Sequence, residues 1–81
     1  MRTRFSEKAT ADYAGLSGVV RRAFQKQLRL LLADMRHPSL QAKKYGGASA
    51  LWQARVSRHW RFYFTIRGDT YEIVTIIPHP K

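Results

Sequence analysis

The apolar pattern of this 81-residue chain changes period once, and that change calls for two kinds of secondary structure in one small molecule. Val20, Ala23, Phe24, Leu28, Leu31, Leu32 and Met35 recur at steps of 3 and 4 residues, which places them along one face of a helix. Beyond Leu51 the period is 2. Trp52, Ala54 and Val56 alternate with Gln53, Arg55 and Ser57, and Trp60, Phe62, Phe64 and Ile66 alternate with Arg61, Tyr63 and Thr65. The spacing predicts strands over Leu51–Ser57 and Trp60–Ile66, then a largely apolar strand over Tyr71–Ile77 after a hairpin turn at Arg67-Gly68-Asp69-Thr70. These strands form an antiparallel meander.

The other boundaries follow from caps and breakers. Arg2 to Phe5 reads as a short opening edge strand, and Ser6 as the N-cap of a first helix running from about Ser6 to Leu16, with Glu7 favouring its positive end. Gly15, Ser17 and Gly18 interrupt the helical pattern, and Ser17 caps the second helix. His37-Pro38 ends that helix, because proline lacks the N–H and pushes the preceding residue out of the α region. Ser39 to Ser49 reads as a basic loop containing Gly46-Gly47. The expected architecture is a single α+β domain over residues 1–81, a helical hairpin packed on one face of a small, mainly antiparallel sheet, in the order β-α-α-β-β-β.

Charge then selects the partner. With 15 Lys+Arg against 5 Asp+Glu the formal net charge is +10, which favours nucleic acid or an acidic protein as counter-charge. No acidic residue lies between Asp34 and Asp69, whereas Arg36, Lys43, Lys44, Arg55, Arg58, Arg61 and Arg67 all fall there. A sheet with one greasy and one cationic face follows. Cysteine is absent, so neither disulfides nor thiolate metal sites staple the fold, which fits a reducing compartment. No apolar run approaches the roughly 18 residues of a membrane span and no signal-peptide core follows Met1, so a soluble, cytoplasmic protein with no membrane partner is expected. His37, His59 and His79 are scattered and no metal, dinucleotide or phosphate-loop motif occurs, so no metal or cofactor is expected.

The order of elements and the segments KKYGG, LWQARV, WRFYFTI, the Gly-Asp turn and the closing PHPK resemble the RelE/ParE superfamily of toxins from toxin–antitoxin operons. Only Leu40 to Lys81 carries specific likeness, since the helical half matches in pattern alone. The resemblance implies a small α+β fold, a cytoplasmic bacterial setting, a cognate antitoxin, and one of two targets. RelE-like members cut messenger RNA in the ribosome without metal and so inhibit translation; ParE-like members poison DNA gyrase and are not nucleases.

Metal-free RNA cleavage needs an acceptor for the ribose 2′-hydroxyl proton, cations for the pentacoordinate phosphate, and a donor for the departing 5′ oxygen. Arg61 matches the family's phosphate-stabilising arginine, and its guanidinium holds two phosphate oxygens at once. Arg55 is its expected neighbour across the sheet. His79 is the candidate proton donor, being an imidazole near the end of the chain as in several nucleases of the family. No carboxylate stands in the loop, so Lys44, Lys43 or a cation pair would have to accept the proton; phosphate binding is the larger role of Lys43 and Lys44. Tyr63 is placed to stack on a base, Arg58 at the strand turn to touch RNA, and Lys81 to add a phosphate contact. Trp52 and Trp60 are expected in the core. The favoured reading is a ribosome-dependent mRNA endoribonuclease with the ribosome, mRNA and an antitoxin as partners. A ParE-like gyrase inhibitor and a plain RNA-binding or ribosome-binding module are the alternatives.

Overall fold

A computed structural model describes residues 1–45 and 50–79. Its elements are β1 (Arg2–Phe5), α1 (Glu7–Ala14), α2 (Gly18–Ala33), a 3-10 turn (Pro38–Leu40), β2 (Lys43–Lys44), β3 (Trp52–Ser57), β4 (Trp60–Arg67) and β5 (Thr70–Pro78). The strands form one five-stranded mixed sheet in the order β1-β5-β4-β3-β2. The expected meander is present as β3-β4-β5, but β1 runs parallel to β5, and Lys43–Lys44, expected inside a loop, pair antiparallel with β3. Gly46-Gly47 lie outside the described residues.

Both helix starts are built as their sequences dictate. Ser6 Oγ accepts from Ala9 N at 3.0 Å and donates to Val74 O at 2.7 Å, so one hydroxyl caps α1 and ties it to β5. Ser17 Oγ accepts from Val20 N at 3.3 Å at the start of α2. The end of α2 differs from the expectation. It stops at Ala33, short of His37-Pro38, because Asp34 is extended and its Oδ1 accepts from Arg36 N at 3.0 Å. A short polar side chain that bonds its own local backbone competes with the helical ladder. Pro38 instead opens the 3-10 turn, and His37 caps it by accepting from Ser39 N at Nδ1.

The helices cover one face of the sheet. Phe24 of α2 is 1 % exposed and meets Phe62 edge-on at 5.3 Å and 89°, with Phe5 and Tyr13 edge-on around it. Burying one such ring contributes about 1.5–3 kcal/mol, so this cluster locks α2, β4 and the β1–α1 corner together. Phe62, Phe64, Ala54 and Ile76 are buried beneath it, which fixes the strand parity, and Trp52 and Trp60 pack against its margin as expected. Leu32, expected on the buried stripe, is 38 % exposed, and Gln27 takes a core position at 4 %.

Beyond Phe5, the outer edge of β5 has no strand partner among the described residues, and α1 closes it. Asp12 Oδ2 accepts from Ile76 N at 3.0 Å and from Thr75 Oγ1 at 2.8 Å, while Lys8 Nζ donates to both Asp12 and Thr75. A helix laid along a strand edge removes a template for unwanted pairing. Burial pushes the Asp12 carboxyl up, but the hydrogen bonds from Ile76, Lys8 and Thr75 and the Lys8 charge outweigh it and hold the group below its ordinary 3.8. Its contribution is therefore complete above the unfolded carboxyl range and is lost as pH falls through the lower folded value. Asp12→Ala should cost about 1–3 kcal/mol in urea unfolding at neutral pH and flatten the acid limb of the stability profile below about pH 4. A variant that loses stability on acidification like the parent would show that Asp12 does not carry this linkage.

Candidate functional site

The face of the sheet away from the helices holds a cleft of about 300 Å³, lined by Gln41, Lys43, Gln53, Arg55, Arg61 and His79 among the described residues. These side chains come from separate segments that the sheet order makes adjacent. Arg55 and Arg61 are direct partners in the β3–β4 register, Lys43 stands opposite Gln53 on the β2–β3 pair, and His79 follows the end of β5. The ring-bearing residue is held in place by its backbone: His79 N donates to His59 O at 2.7 Å, extending the β4–β5 pairing past Trp60 and Pro78.

Arg61 is pre-positioned by the turn that precedes it. Its Nη1 donates to Ser57 O at 2.6 Å and Trp60 O at 2.9 Å and approaches Arg58 O at 3.5 Å, which uses one nitrogen and fixes the plane of the guanidinium. Its Nε and Nη2 make no hydrogen bond to the described residues, and neither Arg55 nor Arg61 has an ion-pair partner among them. Burial, then the neighbouring Arg55 charge, push the Arg61 guanidinium down from its usual value, with Tyr63 acting the opposite way. An arginine stays charged at neutral pH regardless. Two cations directly across a sheet pair destabilise each other, so the arrangement favours any ligand that sets negative charge between them.

The other expected site residues divide. Lys43 lines the cleft. Lys44 does not: it follows Lys43 on a strand, so its side chain leaves on the opposite side, at the position paired with Trp52. Tyr63, expected as an exposed platform, is only 6 % exposed; Tyr45 packs edge-on against it at 5.3 Å, and its hydroxyl accepts from Gln53 Nε2 at 2.8 Å. Tyr63 is therefore a support for Gln53, and Tyr45, 49 % exposed, offers its phenol ring to solvent beside it. Arg58 is an exposed turn residue outside the cleft lining, and Lys81 lies outside the described residues.

Gln41, Gln53 and Gln27 are the residues that sequence reasoning passed over. Gln41 has a left-handed backbone, φ 46, which turns the chain from the 3-10 turn into β2 and brings its side chain to the cleft. Gln27 lies beneath the sheet. Its Nε2 donates to Arg55 O at 2.9 Å and Ser39 O at 3.0 Å, and its Oε1 accepts from Ser39 Oγ at 3.3 Å. One buried amide thus joins α2, the 3-10 turn and the backbone that carries Arg55. Its signal was available: it sits between Phe24 and Leu31 at the spacing of the apolar stripe, where a polar residue requires a partner.

The architecture is that of the small toxins of toxin–antitoxin pairs. A YoeB/ParE toxin from Agrobacterium tumefaciens superposes with a TM-score of 0.83 at 14% identity, covering 99% of this chain and 100% of that one. The toxin–antitoxin complex RelBE of E. coli gives 0.78 at 17% identity over 99% of this chain and 98% of that chain, and a YoeB dimer from Staphylococcus aureus 0.81 at 14% over 99% and 98%. The chain has the RelE/ParE fold, the fold that its sequence motifs led one to expect. No protein-family model matches it, and comparison with curated proteins gives no match.

Replacing Gln27 tests how far the cleft depends on the layer beneath it. Gln27→Leu keeps the volume but strands the carbonyls of Arg55 and Ser39, and should cost about 2–3 kcal/mol in urea unfolding. A loss under about 0.5 kcal/mol would show that these carbonyls find other partners.

Proposed function

We propose that this protein is the toxin of a type II toxin–antitoxin pair, acting as a metal-free mRNA endoribonuclease on the ribosome. The observation that carries the reading is the convergence of Arg55, Arg61, Lys43 and His79 on one cleft of the uncovered sheet face. In the reaction the ribose 2′ oxygen attacks the neighbouring phosphorus, the bond from phosphorus to the 5′ oxygen breaks, and a 2′,3′-cyclic phosphate and a 5′-hydroxyl result. Arg61 offers Nε and Nη2 to the non-bridging oxygens, and Arg55 adds a second positive charge as the phosphorane forms. His79, as imidazolium, gives its proton to the leaving 5′ oxygen. The proton from the 2′-hydroxyl passes to water, because no carboxylate lines the cleft among the described residues and the Lys43 ammonium has no free lone pair. Lys44, turned to the other side of β2, contributes at most to RNA docking.

That missing carboxylate is also the observation favouring the second reading, a ParE-like gyrase inhibitor that binds without chemistry. A cognate antitoxin belongs to either reading. Its segment is acidic or amphipathic, complementing the +10 of charge. Structural relatives of this chain include a toxin–antitoxin complex of YoeB and YefM from Staphylococcus aureus and the RelBE complex of E. coli.

Induced expression separates the readings. Arg61→Ala and His79→Ala should each relieve growth arrest, with RNA cleavage falling about 10²-fold or more and the fold intact by circular dichroism. RNA ends at codon-spaced positions are expected in the parent. Gyrase–DNA breaks without RNA ends, or full toxicity from both variants, would overturn the nuclease assignment.

A further inference from the structure

We infer that the cleft prefers a phosphomonoester dianion, such as the terminal phosphate of a 3′-phosphorylated nucleotide, over the singly charged phosphodiester of an intact strand. This rests on the cleft being the phosphate site of the proposed function, although not on the cleavage step itself.

The argument is one of charge and volume. Lys43, Arg55 and Arg61 contribute positive charge to the lining and His79 adds an imidazole, while the remaining polar lining among the described residues is the neutral amides of Gln41 and Gln53. None of these cations is ion-paired among the described residues, whose bridges are Arg2 with Asp69 and Lys8 with Asp12. One diester brings one negative charge and leaves most of that positive charge facing itself. A monoester brings roughly two negative charges at neutral pH, its second ionisation lying near 6. The cleft, at about 300 Å³, stands at the lower end of ligand-sized pockets, so it suits one nucleotide and not two successive phosphates.

The geometry at Arg61 points the same way. Its Nη1 is committed to the carbonyls of Ser57 and Trp60, leaving Nε and Nη2 as a fork without a hydrogen-bond partner among the described residues, on the residue paired with Arg55 across the strands. A terminal phosphate has three equivalent oxygens, enough for that fork and for Arg55 together. A diester has two non-bridging oxygens and two ester oxygens that accept poorly. A nuclease with such a site is inhibited by added 3′-phosphorylated nucleotides, whereas its own 2′,3′-cyclic product, a singly charged cyclic diester, is released.

Calorimetric titration of the full chain at about pH 7.5 and constant ionic strength tests this with three probes. They are adenosine 3′-monophosphate, the adenosine dinucleotide with one diester, and the trinucleotide with two. The monoester should bind about tenfold or more tightly than the dinucleotide. Arg55→Gln, and separately Lys43→Gln, should reduce that ratio to about threefold or less, and Arg22→Gln on the outer face of α2 should leave it unchanged. Equal affinity for monoester and dinucleotide would overturn the inference. So would a trinucleotide matching the monoester, because two diesters would then serve, or a preference that survives both cleft variants. RNA cleavage scored separately on ribosomes keeps the two claims apart: preference without cleavage removes the nuclease and leaves this site, and cleavage without preference does the reverse.

Discussion

Two arginines stand directly opposite each other in the register of β3 and β4, and no element of the described structure neutralises them. Nothing in the packing of Arg55 or Arg61 themselves demands this. It is imposed by the other face of the same strands, where Ala54, Phe62 and Phe64 are buried against Phe24 and fix which residues point outward. A slip of one residue would invert both faces, so the hydrophobic core fixes the register that places like charges side by side. The repulsion is tolerated because three turn carbonyls surround one Arg61 nitrogen and the pair opens onto solvent.

The rest of the molecule serves that arrangement. Gln27 reaches through from α2 to hold the backbone of Arg55 and the 3-10 turn that presents Gln41, so the helical layer sets the floor of the cleft. The bulge at Val56, between the partners of Arg61 and Trp60, lies beside Arg55 and the turn that holds Arg61. On the far side of the sheet α1 closes the edge of β5 through Asp12, and β5 then runs on past Pro78 to deliver His79 beside His59. A single continuous sheet carries every cleft residue except Gln41 and His79, which flank its strands.

Much of this was legible in the sequence where periodicity and caps speak. The serine caps, the strand parity of Trp52 to Ile66, the turn at Gly68, and the Arg55–Arg61 adjacency follow from local pattern. Long-range pairing does not. The parallel contact of β1 with β5 joins residues far apart in the chain, and β2 is two lysines long, with no alternation to read. The end of α2 was misplaced because proline is a loud signal and the Asx bond of Asp34 a quiet one. Tyr63 shows a further limit: strand parity placed it on the uncovered face, but burial there is decided by Tyr45, which arrives from β2. For the same reason the parity of a two-residue strand, invisible in sequence, separated Lys43 from Lys44.

The central claim is that the Arg55–Arg61 pair is an anion site, and arginine side-chain NMR reports on it most directly. In a titration with inorganic phosphate at constant ionic strength, the Nε–Hε signals of Arg55 and Arg61 should shift together and saturate, while those of Arg22 and Arg29 on α2 move little. Uniform, unsaturating shifts across all arginines would mean that the sheet gathers charge without building a site, and would contradict the account.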